Sequence, residues 1–342
     1  MTSWRSVGRR TALSAGWGLA GGRSVVGLSR LFRSESEPAL IGVQGLGMWL
    51  LLPAYPLVVA AVVTRKTALA GVAVALVLGN IVWASEMVEH GRDQPAPTGA
   101  AILRLMSANL LVTNPDIVSL GRDLAATRAD VIVLQEVSAE HLAGLRASGL
   151  LATYQYQVLD PLPEFHGSAI LSRLPLADGR AFDVAGSPMT RADITTATGI
   201  VRLINVHTVA PLNESQARRW QAQLDLLAQM QPPESGALIM AGDFNATLDH
   251  APMDALVSSG MRDAFNEAGR GIGATWPQSS GPVPPLMRLD HVLVSDTVVV
   301  MNAEVQANPG SDHRRLSVEL ALPSATASVS LPQPSTSIAA AP

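Results

Sequence analysis

The chain has 342 residues, 48% of them hydrophobic, and a positive mean hydropathy. That is high for a soluble protein and predicts an apolar segment beyond an ordinary core. The absence of cysteine excludes disulfides, thiolate zinc sites and a cysteine nucleophile. Residues 1–100 hold nine Lys+Arg against five Asp+Glu, and residues 101–342 hold fifteen against twenty-three, so their net charges are +4 and −8. The acidic C-terminal part therefore lacks the basic surface of proteins that bind nucleic acid mainly through its phosphates.

The N-terminal region predicts a membrane anchor. Residues 38–63 form a stretch of 26 residues without a charge, and residues 67–85 form another of 19. Both reach the length of a membrane-spanning helix, so we predict transmembrane helices over 38–63 and 67–86. The preceding basic segment, 1–37, contains a moderately apolar stretch, 11–32. This stretch is either a third, weaker membrane helix or an amphipathic helix on the membrane surface.

The number of spans decides on which side of the membrane the C-terminal domain lies. With two spans, six N-terminal arginines outweigh Arg65 and Lys66, and the positive-inside rule places the domain in the cytoplasm. With a third span, the short loop that contains Arg65 and Lys66 is cytoplasmic, and the domain lies outside. The sequence leaves both arrangements open.

The remainder of the chain predicts one α/β domain over residues 101–322. Residues 89–100, which precede it, are polar and rich in proline and glycine, as in a linker, and residues 323–342 have the composition of a disordered tail. Short apolar runs alternate with helical patterns inside the domain. The predicted helices are 115–127 and 213–230, and the predicted strands are 102–108, 131–134, 168–171, 201–206, 238–241, 291–294 and 316–322.

Polar residues stand at the ends of these apolar strands, where α/β folds place their functional sites. Taken singly, each has another explanation, such as a turn, a helix cap or a core histidine bonded to a carbonyl group. Together they form a set that suits one reaction. The set comprises Asn109, Glu136, His207, Asp243, Asn245, Asp290, Asp312 and His313.

The chemistry of the set is that of phosphoester hydrolysis. The carboxylates of Glu136 and Asp312 and the amide oxygen of Asn109 are hard ligands, suited to Mg²⁺ or Mn²⁺. His207 and His313, with acidic residues near them in sequence, supply proton transfer near neutral pH. The sequence therefore predicts a metal-dependent hydrolase.

The motifs SANL, LQEV, HGSAILSR, NVHTVAP, GDFNAT, RLDHVLVS and SDHRRL occur in this order within residues 102–322. The series resembles the endonuclease/exonuclease/phosphatase superfamily of metal-dependent phosphoesterases. The resemblance implies an α/β (α+β) four-layer sandwich, in which two packed β-sheets are flanked by helices, here preceded by the transmembrane helices. The mid-chain tyrosine pattern of the apurinic-endonuclease branch is missing around Tyr154 and Tyr156, which makes a repair nuclease a poor match.

The resemblance also implies roles for the metal ligands and the general base. Asn109 and Glu136 would bind the catalytic Mg²⁺ or Mn²⁺, and Asp312 would contribute to the same site. His313, oriented by a carboxylate such as Asp290, would act as general base on the attacking water.

Three further residues take roles around the phosphate. Asp243 and Asn245 would position the water or stabilise the transition state, and His207 would donate to a phosphate oxygen or protonate the leaving group. Members of the superfamily differ over which histidine is base and which is acid, so both assignments stay open.

These expectations lead to a membrane-anchored enzyme that hydrolyses phosphodiesters, with nucleic acid as one substrate class and phospholipids or small phosphoesters as the other. A catalytically inactive binding module tethered to the membrane is the alternative of another class. Besides the substrate, the lipid bilayer is the expected partner, and no protein partner is predicted. The resemblance to membrane-anchored bacterial members favours a multi-pass cell-membrane protein with an extracytoplasmic domain.

Overall fold

The computed structural model describes residues 3–32, 37–91, 94–234, 236–278, 281 and 283–322, and side chains for 14–29 and from 37 onward within these ranges. The predicted tail, 323–342, lies outside the described residues, as does part of the predicted basic segment 1–37. The helices are α1 (Ser3–Phe32), α2 (Pro38–Gly45), α3 (Gly47–Leu51), α4 (Ala54–Val63), α5 (Thr67–Met87), α6 (Ile117–Ala125), α7 (Ala139–Ala147), α8 (Leu150–Thr153), α9 (Glu214–Leu227), α10 (Ala251–Ser258) and α11 (Ala264–Ala268).

The strands form two six-stranded sheets and one short pair. They are β1 (Glu89–His90), β2 (Ala101–Asn109), β3 (Val131–Gln135), β4 (Tyr156–Asp160), β5 (Ser168–Ser172), β6 (Leu176–Val184), β7 (Ser187–Thr196), β8 (Gly199–His207), β9 (Gly236–Asp243), β10 (Met261–Asp263), β11 (Arg270–Gly271), β12 (Asp290–Ser295), β13 (Val299–Gln306) and β14 (Arg315–Leu322). One sheet has the order β10-β12-β9-β8-β7-β6, the other has the order β13-β14-β2-β3-β5-β4, and β1 pairs with β11.

The two large sheets pack face to face, because alternate side chains of each strand point to the inner face and are apolar. Leu103 and Val131 of one sheet lie in the same buried cluster as Leu203 and Ile239 of the other. Helices α9 and α10 cover the outer face of one sheet, and α6, α7 and α8 cover the outer face of the other. This order of layers confirms the predicted four-layer sandwich.

The covering helices begin where the sequence supplies a capping side chain. Asn213 accepts a hydrogen bond from Gln216 N at 3.0 Å at the start of α9, and Asp116 does the same for Ser119 N at 3.3 Å at the start of α6. These side chains satisfy backbone donors that the first helical turn leaves free. Trp220, on the apolar face of α9, is fully buried against the sheet. Capping and the apolar stripe together fix where each helix lies.

The N-terminal helices differ from the prediction. Among the described helices, only α5, with 21 residues, is by itself long and apolar enough to cross a membrane. The stretch 38–63 is bent by 77° between α2 and Gly47–Val63. Two straight transmembrane helices, and a multi-pass arrangement built on them, are therefore not supported, although the bent pair passes the same length and composition test when taken together. The weaker stretch 11–32 lies within α1, which does not pass that test.

The bend follows from two glycines that closely approach other parts of the molecule. A Cβ atom on Gly47 would lie 1.7 Å from the ring of Trp83, and one on Gly45 would lie 2.8 Å from Met287 Sδ. Only glycine allows the backbone to come this close. Thus α2 turns toward the C-terminal domain, whereas α4 packs its Leu57 against Leu69 of α5.

This turn creates a docking surface, which we define as the contacts of Ile41, Trp49 and Trp83 with residues 247–250 and 286–287. Ile41 is buried in the same apolar cluster as α9 and α10. The indole N–H of Trp49 donates to Leu286 O at 2.8 Å, and that of Trp83 donates to Asp249 Oδ1 at 3.0 Å. The predicted linker 89–100 also begins with β1, which is paired with the domain through β11. The N-terminal helices are therefore fastened to the domain at several points.

We predict that Gly45→Leu destabilises the protein and that Gly42→Leu does not. A Cβ on Gly45 would meet Met287 and His250, whereas a Cβ on Gly42, in the same helix, has nothing within 4 Å. Overpacking of this kind costs about 1–3 kcal/mol. Thermal unfolding of the full chain in detergent should show a lower midpoint for Gly45→Leu alone, and equal midpoints for the two variants would contradict the docking.

The docking surface also contains a buried histidine that is neutral. Thr247 N donates to His250 Nδ1 at 2.9 Å, so the ring proton is on Nε2, which donates to Ile41 O at 3.0 Å. Burial lowers the pKa of His250 to about 4. At neutral pH this ring joins α2 to the domain without a charge.

We expect stability to fall below neutral pH because of His250. Above pH 6.5 the ring is neutral in both the folded and the unfolded chain, and between 6.5 and about 4 only the unfolded chain binds the proton. The free energy of unfolding therefore falls as the pH is lowered through this window, by up to on the order of 3 kcal/mol. Unfolding midpoints measured from pH 8 to pH 4 should fall more steeply for the wild type than for His250→Gln. Parallel curves would contradict the expectation.

Candidate active site

The predicted site residues meet at one edge of the sandwich. The parallel pairs β2-β3 and β8-β9 place Asn109 opposite Gln135 and His207 opposite Asp243. The antiparallel strand β12 starts at the same edge, with Asp290 opposite Asp243. A hydrogen bond from Asn109 Nδ2 to Asp243 Oδ2, at 3.1 Å, joins the two sheets there. The topology thus gathers strand ends that lie far apart in sequence.

A buried group of two aspartates and one histidine forms the centre of the site. His313 Nδ1 lies 2.8 Å from Asp290 Oδ2, and His313 Nε2 lies 3.6 Å from Asp243 Oδ2. All three side chains are buried, and their ligand atoms lie within 4.8 Å of one another. His207 approaches the same carboxylate, with Nε2 at 3.9 Å from Asp243 Oδ2. Both histidines therefore face Asp243, His207 from the end of β8 and His313 from the loop before β14.

The acidic surroundings change the protonation of this group. Burial disfavours the charged form of His313, but the carboxylates of Asp290, Asp243 and Asp312 raise its pKa to about 10. Burial, together with the charge of Asp290, raises the pKa of Asp243. Both shifts have one cause, which is an excess of negative charge in a poorly solvated place. A cation bound here would relieve that excess.

Glu136 and Asn109 form the second part of the site. Asn109 Nδ2 donates to Glu136 Oε1 at 2.9 Å, and Val112 N donates to Glu136 Oε2 at 2.7 Å. Glu136 has a left-handed backbone, with φ of 58°, as does Asn245, with φ of 46°. Such a conformation is costly for residues other than glycine and is kept where the surroundings require it. Glu136 directly follows β3, and Asn245 lies two residues after the end of β9.

Asp312 lies at the rim of the same group, and a tryptophan holds it. Trp276 Nε1 donates to Asp312 Oδ2 at 3.2 Å. In the described part of the chain, the buried Oδ1 atoms of Asp312 and Asp290 have no hydrogen-bond partner. Buried carboxylate oxygens without a partner are rare because they lose solvation without compensation. Two of them at one site indicate that a ligand, such as a metal ion, completes the arrangement.

Asn245 occupies the loop after β9 and is held on both sides. Its backbone N–H donates to Asp243 Oδ1 at 2.8 Å, and its Nδ2 donates to Thr208 O at 2.9 Å. Because Nδ2 is bonded to Thr208, the side-chain Oδ1 of Asn245 can still accept a hydrogen bond. The structure thus places all eight predicted residues at one edge of the sandwich, in contact directly or through their immediate neighbours.

Several residues that support the site lie outside the predicted set. Besides Trp276, His141 Nδ1 lies 2.9 Å from Glu136 O, and Gln135 Nε2 donates to Asn205 Oδ1 at 2.7 Å. His291, next to Asp290, is fully buried, with Nδ1 2.7 Å from Asp263 Oδ2. Gln135 and His291 carried a signal, since each is a polar residue at the end of an apolar strand. Trp276 and His141 carried none, because their contacts depend on how the neighbouring loops fold.

The mouth of the site carries an aromatic side chain. Phe165, in the loop between β4 and β5, has its ring centroid 6.4 Å from that of His207, in an edge-on arrangement. His166 lies beside it, with ring centroids 4.3 Å apart. Burial and the positive charge of Arg219 lower the pKa of His166. The mouth therefore presents an apolar ring next to the histidine that faces Asp243.

Comparison with known proteins identifies the family of the chain. The sequence model of the endonuclease/exonuclease/phosphatase family matches residues 106–313, which is more than half of the chain. The chain belongs to this family. The match begins in β2 and ends at His313, so the endonuclease/exonuclease/phosphatase domain includes every candidate site residue. The family assignment makes a phosphoesterase hydrolase the coarse function of the fold. No curated protein sequence matches the chain.

Solved structures of the family share the fold. An endonuclease/exonuclease/phosphatase from Beutenbergia cavernae is 18% identical, with a TM-score of 0.53, over 65% of this chain and 72% of that one. A protein of the same family from Bacteroides vulgatus is 18% identical, with a TM-score of 0.54, over 65% and 100%. TDP2 from D. rerio, solved with a single-strand DNA product, is 18% identical, with a TM-score of 0.55, over 64% and 99%. At such identities the likeness concerns the fold.

Proposed function

We propose that this protein is a membrane-anchored phosphodiesterase that depends on a divalent metal ion. The observation that carries the proposal is the buried acidic group around His313, with two carboxylate oxygens that have no partner among the described residues. Such a group holds excess negative charge and can be completed by a cation. The family assignment, whose match spans residues 106–313 and so includes this group, supports a phosphoesterase.

The metal ligands that fit best are Asn109, Glu136 and Asp312. Their side chains offer oxygen atoms, which Mg²⁺ and Mn²⁺ prefer, and the oxygen of Asp312 that has no partner is free to take part. The oxygens of Glu136 each accept one hydrogen bond and keep a lone pair. A bound divalent ion supplies charge neutralisation at the phosphate and lowers the pKa of water.

His313 and Asp290 would act as general base and orienting carboxylate. The hydrogen bond between His313 Nδ1 and Asp290 Oδ2 fixes the ring and leaves Nε2 directed toward Asp243. A base must lie within hydrogen-bond reach of the water that it deprotonates, and this ring atom is the one free to do so. The surrounding carboxylates raise the pKa of His313, and the positive charge of a bound divalent ion would oppose that effect and favour the neutral ring that a general base requires.

Three other residues would serve the phosphate. Asp243 and Asn245 would hold the attacking water, because Asp243 lies between the two histidines and hydrogen bonds fix both residues. His207, on the other side of Asp243, would donate to a phosphate oxygen or protonate the leaving group. The exchange of the roles of His207 and His313 remains the alternative assignment.

The membrane anchor is proposed from α5. Its 21 residues match the thickness of the hydrocarbon core, and Leu78, Ile81 and Val82 expose apolar side chains along it. Helix α4 presents Val59 and Val63 in the same way. Apolar faces of this extent favour a lipid environment over water.

The proposal is tested with the full chain in detergent. Hydrolysis of bis-p-nitrophenyl phosphate is followed after EDTA treatment and again as Mg²⁺ or Mn²⁺ is added. We expect turnover that is absent with EDTA and returns with either ion. Comparison with p-nitrophenyl phosphate distinguishes a diesterase from a monoesterase.

A folded protein that is inert toward both esters with either ion would refute the enzyme and favour the binding module. Turnover that persists in EDTA would instead refute the metal dependence. Thermal unfolding recorded on the same samples shows whether the protein is folded.

A further inference from the structure

The docking surface joins the apolar helices to the loops that carry the site. Residues 247–250 follow Asn245 closely, and residues 286–287 precede Asp290. Four steps of chain separate Asn245 from Asp249, and four separate Leu286 from Asp290. Such a segment spans at most about 14 Å. The catalytic residues therefore lie close to the residues that the tryptophans of the N-terminal helices hold.

The two tryptophans fix the position of the domain relative to the proposed membrane span. Trp83 lies near the C-terminal end of α5, and its indole N–H bonds to Asp249 at 3.0 Å. Trp49, at the bent segment, bonds to Leu286 O at 2.8 Å. The ring of Trp83 is buried in the protein, so this bond fastens the end of α5 directly to the loop that follows Asn245. The end of α5 thus places this edge of the domain at the bilayer surface.

Apolar side chains are also exposed in loops that adjoin the site residues in sequence or in space. Phe165, Leu212 and Val283 come from three separate loops at the catalytic edge, and they are 37%, 78% and 49% exposed. Leu212 lies five residues after His207, and Val283 lies three residues before Leu286. Exposed apolar side chains beside a polar site favour contact with a lipid surface.

From this placement we propose that the substrate is a phosphodiester in the headgroup of a membrane lipid, hydrolysed while the lipid remains in the bilayer. The inference rests on the phosphodiesterase function proposed above. Water adds to phosphorus, one ester P–O bond breaks, and the departing alcohol takes up the proton. The charge of −8 in residues 101–342 disfavours a polyanion such as nucleic acid.

The test compares one phosphodiester in two physical states. The full chain is reconstituted in vesicles of phosphatidylcholine, phosphatidylethanolamine and phosphatidylglycerol, with Mg²⁺. Release of water-soluble product is measured, and the rate is compared with that for the deacylated glycerophosphodiesters and for single-stranded DNA. We expect the lipids to be hydrolysed at least about tenfold faster than their deacylated counterparts.

A pair of surface variants tests the apolar mouth. Leu212→Asp should lower the ratio of lipid to bis-p-nitrophenyl phosphate turnover by about tenfold, because a buried leucine contributes that much to interfacial binding. Ile200→Asp, at the opposite end of β8 and 46% exposed, should leave the ratio unchanged. Both positions are on the surface, so neither substitution is expected to unfold the domain.

The outcomes separate the two proposals. Turnover of bis-p-nitrophenyl phosphate or DNA without turnover of any vesicle lipid overturns the lipid inference and leaves the phosphodiesterase standing. Absence of turnover of every ester overturns the phosphodiesterase itself. If Leu212→Asp and Ile200→Asp give equal ratios of lipid to bis-p-nitrophenyl phosphate turnover, the exposed leucine does not contribute to lipid hydrolysis. That result would overturn the proposed approach of the substrate from the bilayer.

Discussion

Replacing Glu136 by glutamine is expected to lower metal-dependent turnover by about a thousandfold. The glutamine keeps the shape of the side chain and removes the negative charge that Asn109 Nδ2 and Val112 N now contact at 2.9 Å and 2.7 Å. Because the charge is part of the proposed metal site, more Mg²⁺ should be needed for the activity that remains. A titration of turnover against Mg²⁺ measures both effects.

The matched control is Glu140→Gln, four residues further along the chain. Glu140 lies in the first turn of α7 and is exposed. This variant should keep the wild-type rate and the wild-type Mg²⁺ requirement. If Glu136→Gln behaves like Glu140→Gln, the metal site lies elsewhere, and the group of Asp243, Asp290 and His313 becomes the candidate.

Replacing Asp290 by asparagine is expected to reduce turnover by about 10³-fold to 10⁴-fold, as in other sites where a carboxylate orients a histidine. Asp290 is fully buried, and its Oδ2 atom holds His313 Nδ1 at 2.8 Å. An amide can present its N–H group to this nitrogen, which favours the wrong tautomer of the ring. Its similar volume should keep the fold, which the thermal midpoint checks.

A double variant shows whether Asp290 acts through His313. If the two residues form one unit, Asp290→Asn combined with His313→Gln should be no slower than the slower single variant. If the loss of turnover in the double variant equals the product of the two single losses, the residues act independently, which would contradict the orienting role. Asp296→Asn, with a side chain that is 79% exposed, is the control for loss of one carboxylate.

The strands that carry the site were predictable because each contains a short, continuous apolar run. All five residues of Val131–Gln135 are buried, and so are all six of Asp290–Ser295. Strands covered on both faces have such runs, and a polar residue at the end of a run is conspicuous. For this reason Glu136, Asp243 and Asp290 could be proposed as site residues from the sequence.

Other elements carried too weak a pattern to be predicted. Leu176–Val184 is mostly exposed, with charged residues inside it, so that no alternation or apolar run identifies it as a strand. The bend within 38–63 was missed for a different reason. Hydropathy measures only how apolar a stretch is, whereas the bend depends on the approach of Gly45 to Met287 and of Gly47 to Trp83, which hydropathy does not report.

The partners within the site were also beyond the sequence. Trp276 bonds to Asp312 from 36 residues away, within a segment rich in glycine and proline that has no periodicity. His141 reaches Glu136 O because α7 starts directly after β3. Such contacts arise only when the loops fold over the edge of the sheets.

The hydrogen bond between Trp49 and Leu286 joins residues 237 positions apart. At a synthesis rate of about 5–20 residues per second, the ribosome needs roughly 10 to 50 s to reach the second residue after making the first. Ile41, Trp49 and Trp83 thus emerge long before the surface that covers them exists. During this interval the apolar side chains of these helices lack their native contacts with the domain, and the candidate active site is completed last. The N-terminal helices are therefore expected to dock on the C-terminal domain late in folding, after that part of the chain has been synthesised.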